Sequence, residues 1–125
     1  MKDIISTTAA PAAIGPYSQG ILINGFAFIS GQIPIDPKTG NIECDDIKGQ
    51  AEQSLRNVEN VLKEGGYTLN DVVKTTCFIT DMNNFAAFNE IYGKFFKENC
   101  PARSCVAVKE LPKNALCELE VIACK

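Results

Sequence analysis

The stretch that most limits the fold lies near the end of the chain. From 116 to 124 the side chains alternate. Cys117, Leu119, Val121 and Ala123 share one face, and Leu116, Glu118, Glu120, Ile122 and Cys124 share the other. A strand with one wholly apolar face must lie under something, and two helical patterns upstream can cover it. Ile47, Ala51, Leu55, Val58 and Leu62 recur at three- and four-residue steps. Gln50, Glu52, Gln53, Arg56 and Glu59 fill the opposite side, and Gly65-Gly66 is a stop. That spacing predicts a helix over 47–64. A second is predicted over about 84–98, with N-cap candidates in Asp81-Met82-Asn83-Asn84. Its aromatic-rich face, from Phe85 and Phe88 to Tyr92 and Phe96, reads as core.

The remaining elements are strands. Ile21-Leu22-Ile23 and Phe26-Ala27-Phe28-Ile29-Ser30 flank Asn24-Gly25, the strongest short hairpin signal. A branched run covers 71–80, and strands are expected near 104–110 and 116–124. Residues 1–20 read as a strand or extended lead followed by an irregular loop, broken by Pro11, Gly15, Pro16 and Gly20. The order β-β-α-β-α-β-β implies one α+β domain, 1–125, with a single sheet carrying both helices on one face.

Composition narrows the chemistry. The chain has 125 residues, a net charge of −3 and no histidine. Histidine-assisted Ser or Cys nucleophiles and histidine acid–base catalysis are therefore excluded. Its 12 basic residues are scattered, which argues against nucleic acid as a partner. No apolar run reaches the length of a membrane span. The first residues show no export or transit pattern, so the expected compartment is the cytoplasm. Most of the six cysteines, which include no Cys-x-x-Cys pair, read as small buried residues in a reducing setting, not as a metal site or a disulfide framework. No metal and no cofactor is expected.

Two places could carry chemistry. Arg103, after Pro101-Ala102 and at the mouth of a strand, offers a planar fork that suits a carboxylate or phosphate. An ordinary structural ion pair is the other reading. Glu118 and Glu120 could be a solvated pair. If the apolar faces of the last two strands both meet the helices, Arg103, Cys105, Glu118 and Glu120 share the far face. With those strands adjacent, Arg103 and a glutamate could approach each other. A far face both apolar and charged suggests burial against another copy. Gly31, closing the second strand, permits close approach of a ligand to its N–H. Tyr17 on the preceding loop is either a packing residue or a pocket wall.

Four stretches, taken in order, closely resemble the Rid (YjgF-type) family. They are Pro11-Ala12-Ala13-Ile14-Gly15-Pro16-Tyr17-Ser18-Gln19, Ser30-Gly31-Gln32-Ile33-Pro34, Val73-Lys74-Thr75-Thr76-Cys77-Phe78 and Pro101-Ala102-Arg103-Ser104. Within it the chain is similar to the RidA subgroup of imine and enamine deaminases. The resemblance implies a chorismate-mutase-like fold assembled as a homotrimer with clefts between subunits. It implies that Arg103 binds a substrate carboxylate, that Tyr17, Ser30, the Gly31 N–H, Asn89 and Cys105 line the pocket, and that Glu118 orients the attacking water. The implied substrates are 2-aminoacrylate with its tautomer 2-iminopropionate, and 2-iminobutyrate. They would be hydrolysed to 2-keto acids and ammonium without a cofactor, removing reactive products of pyridoxal-phosphate dehydratases. Asn89 is not singled out by the helix periodicity, which sets it opposite the aromatic face. The short segment Glu98-Asn99-Cys100 departs from common members and would reshape the cleft rim. Two other functions stay open: a non-catalytic trimeric binding module or sensor for small 2-keto acids or amino acids, and RNA cleavage, which the acidic balance and missing histidine oppose.

Overall fold

A computed structural model describes residues 1–125. The strands are β1 Asp3–Ile5, β2 Gly20–Ile23, β3 Phe26–Gln32, β4 Val72–Ile79, β5 Ala102–Ala107 and β6 Cys117–Cys124. The helices are α1 Ile47–Glu64 and α2 Phe85–Phe95. All six strands form one sheet in the order β1-β2-β3-β6-β4-β5. Every pairing is antiparallel except β4–β5, which is parallel because α2 carries the chain back across the sheet. The mixed α+β sheet with both helices on one face is as expected.

Local chemistry sets the boundaries of α1. Asp46 caps it, its carboxylate accepting from Gly49 N–H at 3.3 Å. At the other end Tyr67 N–H donates to the Leu62 carbonyl and Gly66 N–H to the Lys63 carbonyl, with Gly66 at φ +84°. This is a Schellman stop, which glycine accepts without strain. Leu55, Val58, Val61 and Leu62 are fully buried against the apolar faces of β3 and β6, where Ala27, Leu119 and Ala123 are equally buried. Gln50 joins the helix to the sheet by accepting from Leu116 N–H at 2.8 Å.

The second helix ends at Phe95, short of the expected 98. Phe96 leaves helical geometry at φ −118° and ψ 88°, which lets its ring stack on Tyr92 with centroids 4.7 Å apart. Asp81 caps a short 3-10 turn over Met82–Asn84 that leads into the helix. β5 stops at Ala107, earlier than expected, and β1 shows that the lead is a paired strand.

The expectation that β5 and β6 are neighbours is incorrect. β4 lies between them, so Arg103 faces Thr75 and Glu118 faces Phe78. The expectation that Arg103 and Cys105 share the far face with Glu118 also fails. In register with Thr75 and Cys77, both wholly buried under α2, Arg103 and Cys105 stand on the helix side. The more hydrophobic set of β5, Val106 with Ser104, points away. The open face of the sheet carries apolar residues of its own, among them the exposed Phe26, Phe28 and Val106, beside the carboxylates Glu118 and Glu120.

Candidate active site

The chain presents two separate clusters of candidate residues. The first surrounds Arg103 on the edge strand β5. Its Nη1 donates to Asn89 Oδ1 at 2.7 Å. Its guanidinium carbon lies 4.6 Å from the Tyr92 ring centroid and 5.7 Å from that of Phe85. Phe85, Asn89 and Tyr92 stand on successive turns of α2, at steps of four and three, so they form one flank. Asn89 therefore lies among the aromatic residues and not opposite them, because an arginine fills the gap between their rings. Of five N–H groups on a guanidinium one is taken by Asn89, and a bidentate grip on a carboxylate needs only two more. Arg103 forms no ion pair with any acid of its own chain, which removes the ordinary ion-pair reading within the chain.

Cys105 lies two residues further along the same face. Burial pushes its thiol above the usual range, and the nearby Arg103 opposes this only in part. A thiol so shifted is protonated near neutrality and is not an activated nucleophile. Cys77 beside it is driven up to about 12, chiefly by burial.

The second cluster is built on β3 and β6. The pairing slips between Ile29 and Gln32, leaving Ser30 and Gly31 opposite Glu120, a β-bulge. Glu118 lies over this bulge: a Cβ placed on Gly31 would sit 2.8 Å from Glu118 Oε2. Burial raises the Glu118 carboxyl above its ordinary value, and the neighbouring Glu120 raises it further. Ser30 Oγ donates to the Ser18 carbonyl at 2.6 Å, and Ser30 N–H to the Gln19 carbonyl at 2.9 Å. Buried Gln19 holds the rest of the loop. It donates to the Thr7 and Pro11 carbonyls at 3.0 and 2.8 Å, and accepts from Thr7 N–H at 2.6 Å. This fixes a ledge on which Tyr17 stands exposed.

Arg103 and Glu118 cannot act on one small molecule within one chain. They are on opposite faces of the sheet, two strands apart and three residues out of register, or about 14 Å between backbones from ordinary strand dimensions. Tyr17, Ser30, Gly31 and Glu118 belong to one cluster, and Asn89, Arg103 and Cys105 to the other. Sequence reasoning missed Thr75 and Tyr92 as companions of Arg103. The signal available was the i, i+4, i+7 spacing of Phe85, Asn89 and Tyr92, which reads as core unless the arginine is known to lie above it. No group of three or more Cys, Asp and Glu side chains is arranged to hold a metal ion, and no helix is long and apolar enough to cross a membrane.

Comparison with known proteins places the chain firmly. Residues 7–125 match the family model described as Endoribonuclease L-PSP. A RutC family protein of Pyrococcus horikoshii is 54% identical over 125 residues, spanning 100% of this chain and 99% of that protein. The 2-iminobutanoate/2-iminopropanoate deaminase of Salmonella typhimurium is 48% identical over 126 residues, covering 98% of each. The crystal structure of Escherichia coli TdcF with bound serine superposes with a TM-score of 0.95 at 47% identity, covering 98% of both chains.

Proposed function

Since the chain belongs to the YjgF/Rid family, whose model carries the Endoribonuclease L-PSP description, we propose that it hydrolyses 2-imino and 2-enamino acids to 2-keto acids and ammonium. The reaction takes place in clefts between three copies of the chain. Each cleft takes Arg103, Asn89 and Cys105 from one subunit and Tyr17, Ser30, Gly31 and Glu118 from its neighbour. The observation that carries this reading is the state of Arg103. It is held rigidly by Asn89 and two rings, and its remaining donors have no acid to satisfy them. A relative named as an imine deaminase and one crystallised with serine, an α-amino acid with the same carboxylate, support it.

Arg103 grips the substrate carboxylate, a charge-assisted contact of about 1.5–3 kcal/mol net. An enamine first takes a proton at C3 to become the iminium. Glu118 accepts a proton from water as the water oxygen bonds to C2 and the C=N electron pair moves to nitrogen, giving a neutral carbinolamine. Glu118 returns that proton to the nitrogen, the C2–N bond breaks as the carbinolamine hydroxyl gives its own proton back to Glu118, and ammonia departs to leave the keto acid. Fixing imine and water together removes much of the entropic barrier. The raised carboxyl of Glu118 suits a group that must both accept and return a proton.

The test is to generate 2-aminoacrylate with a pyridoxal-phosphate dehydratase, add the protein and follow keto-acid formation. Acceleration is expected from the wild type. Arg103→Ala and Arg103→Lys should lose it, by about 10-fold or more for the lysine, which offers a point charge in place of a fork. Full activity of Arg103→Ala would refute the proposal. Saturable 2-oxobutanoate binding without turnover, read by calorimetry, would instead favour a sensor. Light scattering should give three times the chain mass.

A further inference from the structure

We infer that Tyr92 is a positioning residue for Arg103, held in place by the hydroxyl of Thr75, and that its ring face sets the plane in which the guanidinium meets a carboxylate. This rests on the reading of Arg103 as the carboxylate grip.

The geometry forms a closed circuit of three residues. Arg103 on β5 is the register partner of Thr75 on β4. The Thr75 side chain, wholly buried, shares a hydrogen bond of 2.8 Å with the Tyr92 hydroxyl. The Tyr92 ring returns to Arg103, 4.6 Å from ring centroid to guanidinium carbon. An arginine at the edge of a sheet would ordinarily sample many rotamers. Here three contacts restrict it: Tyr92 beneath, Phe85 at 5.7 Å, and Asn89 at 2.7 Å on one nitrogen.

The hydroxyl tether orients the ring. A tyrosine ring buried by Phe88 and Phe96 could tilt to suit the aromatic cluster alone, with centroids 6.1 and 4.7 Å away. Its bond to Thr75 fixes the far end to the strand that also sets the Arg103 backbone. Burial raises the phenol above its usual range, so Tyr92 stays neutral and acts on Arg103 through its ring, with no negative charge to compete with the substrate carboxylate. Tyr92 is also a core residue, 7% exposed, and a purely structural role is the alternative to be tested.

The variants are Tyr92→Leu, Tyr92→Met, which fills the space with an unbranched side chain, and Tyr92→Phe, which keeps the ring. Each is titrated with 2-oxobutanoate by calorimetry and assayed for kcat and KM in the coupled dehydratase assay. Loss of the ring should weaken 2-oxobutanoate binding about three- to thirty-fold, the range of a cation–π contact. KM should rise by a similar factor while kcat changes less, because the grip acts on the ground state and transition state alike. Tyr92→Phe, which keeps the ring and loses the bond to Thr75, should recover part of that loss, and its shortfall against wild type measures the tether. A merely structural role would lower the active fraction and hence kcat, leaving KM and the binding constant alone. Wild-type binding in folded Tyr92→Leu or Tyr92→Met, or a loss in Tyr92→Phe equal to that in Tyr92→Met, would overturn the inference. Should Arg103→Ala bind 2-oxobutanoate as the wild type does, the site reading itself fails. Should Arg103→Ala lose binding while Tyr92→Met keeps it, only the role of Tyr92 fails.

Discussion

Gly31→Ala separates the chemistry of Glu118 from the stability of the fold. The new methyl would lie 2.8 Å from Glu118 Oε2, 2.9 Å from its Cδ and 3.2 Å from its Cγ. Ordinary non-bonded separation is about 3.5 Å, so the carboxylate must retreat by about 0.7 Å. The backbone of Gly31 is not in the left-handed region, so alanine adds no backbone strain there. Reduced freedom of the unfolded chain stabilises by about 0.4–1 kcal/mol, which offsets the cost of turning a flexible side chain. Net stability should change by less than about 1 kcal/mol, a Tm shift of a few degrees. The reaction should suffer far more. A misplacement near 1 Å in a catalytic group is worth about 100-fold, so kcat should fall about 10- to 100-fold. The assay is initial-rate keto-acid formation from enzymatically generated 2-aminoacrylate, alongside thermal unfolding. A methyl on Gly31 could also obstruct substrate directly. Comparing Gly31→Ala/Glu118→Ala with Glu118→Ala distinguishes the two, because an effect transmitted through Glu118 vanishes once that side chain is gone. A folded Gly31→Ala with wild-type kcat would refute the placing of Glu118 in the reaction.

The pH behaviour of Glu118 supplies a second prediction. Its carboxyl is raised on folding, first by burial and then by Glu120, so the folded state binds the proton more tightly. The stabilisation is complete below the ordinary carboxyl value and is lost as pH rises through the raised one. Glu118→Gln should therefore unfold at higher denaturant concentration than wild type at pH 7, with the difference shrinking as pH falls toward 4.5, and an equal midpoint at pH 7 would refute this. The acid limb of kcat/KM should likewise lie above 4.5 and move down in Glu120→Gln. Cys105→Ser should lower kcat by less than about tenfold, since a protonated thiol is no nucleophile, whereas abolished turnover would make Cys105 a covalent participant.

Much of this architecture could be read from residue spacing. The 47–64 helix was legible in full because its apolar period and Gly65-Gly66 stop agree. The end of α2 was not, since Phe96 gives up a helical turn to seat its ring on Tyr92, a tertiary demand that no periodicity carries. Alternation divides a strand into two faces but does not say which strand lies beside it. That is why β4, inserted between β5 and β6, was missed. It also misled at β5. Val106 and Ser104 look more like a core face than Arg103 and Cys105, yet the open face of this sheet carries exposed apolar residues of its own. The candidate residues came from ordered motifs, and their grouping into two halves became visible only once the strand order was known.

The division of those residues between two faces has a genetic consequence. With the clefts proposed above, a chain lacking Arg103 still supplies a sound Glu118 half, and a chain lacking Glu118 still supplies a sound arginine half. Two inactive alleles expressed together would make active enzyme between them. Random mixing in equal amounts leaves about a quarter of the clefts with both halves intact. The same division limits dominance: a defective arginine disables one cleft and spares the other two, so a heterozygote loses activity only in proportion to the dose of the bad copy.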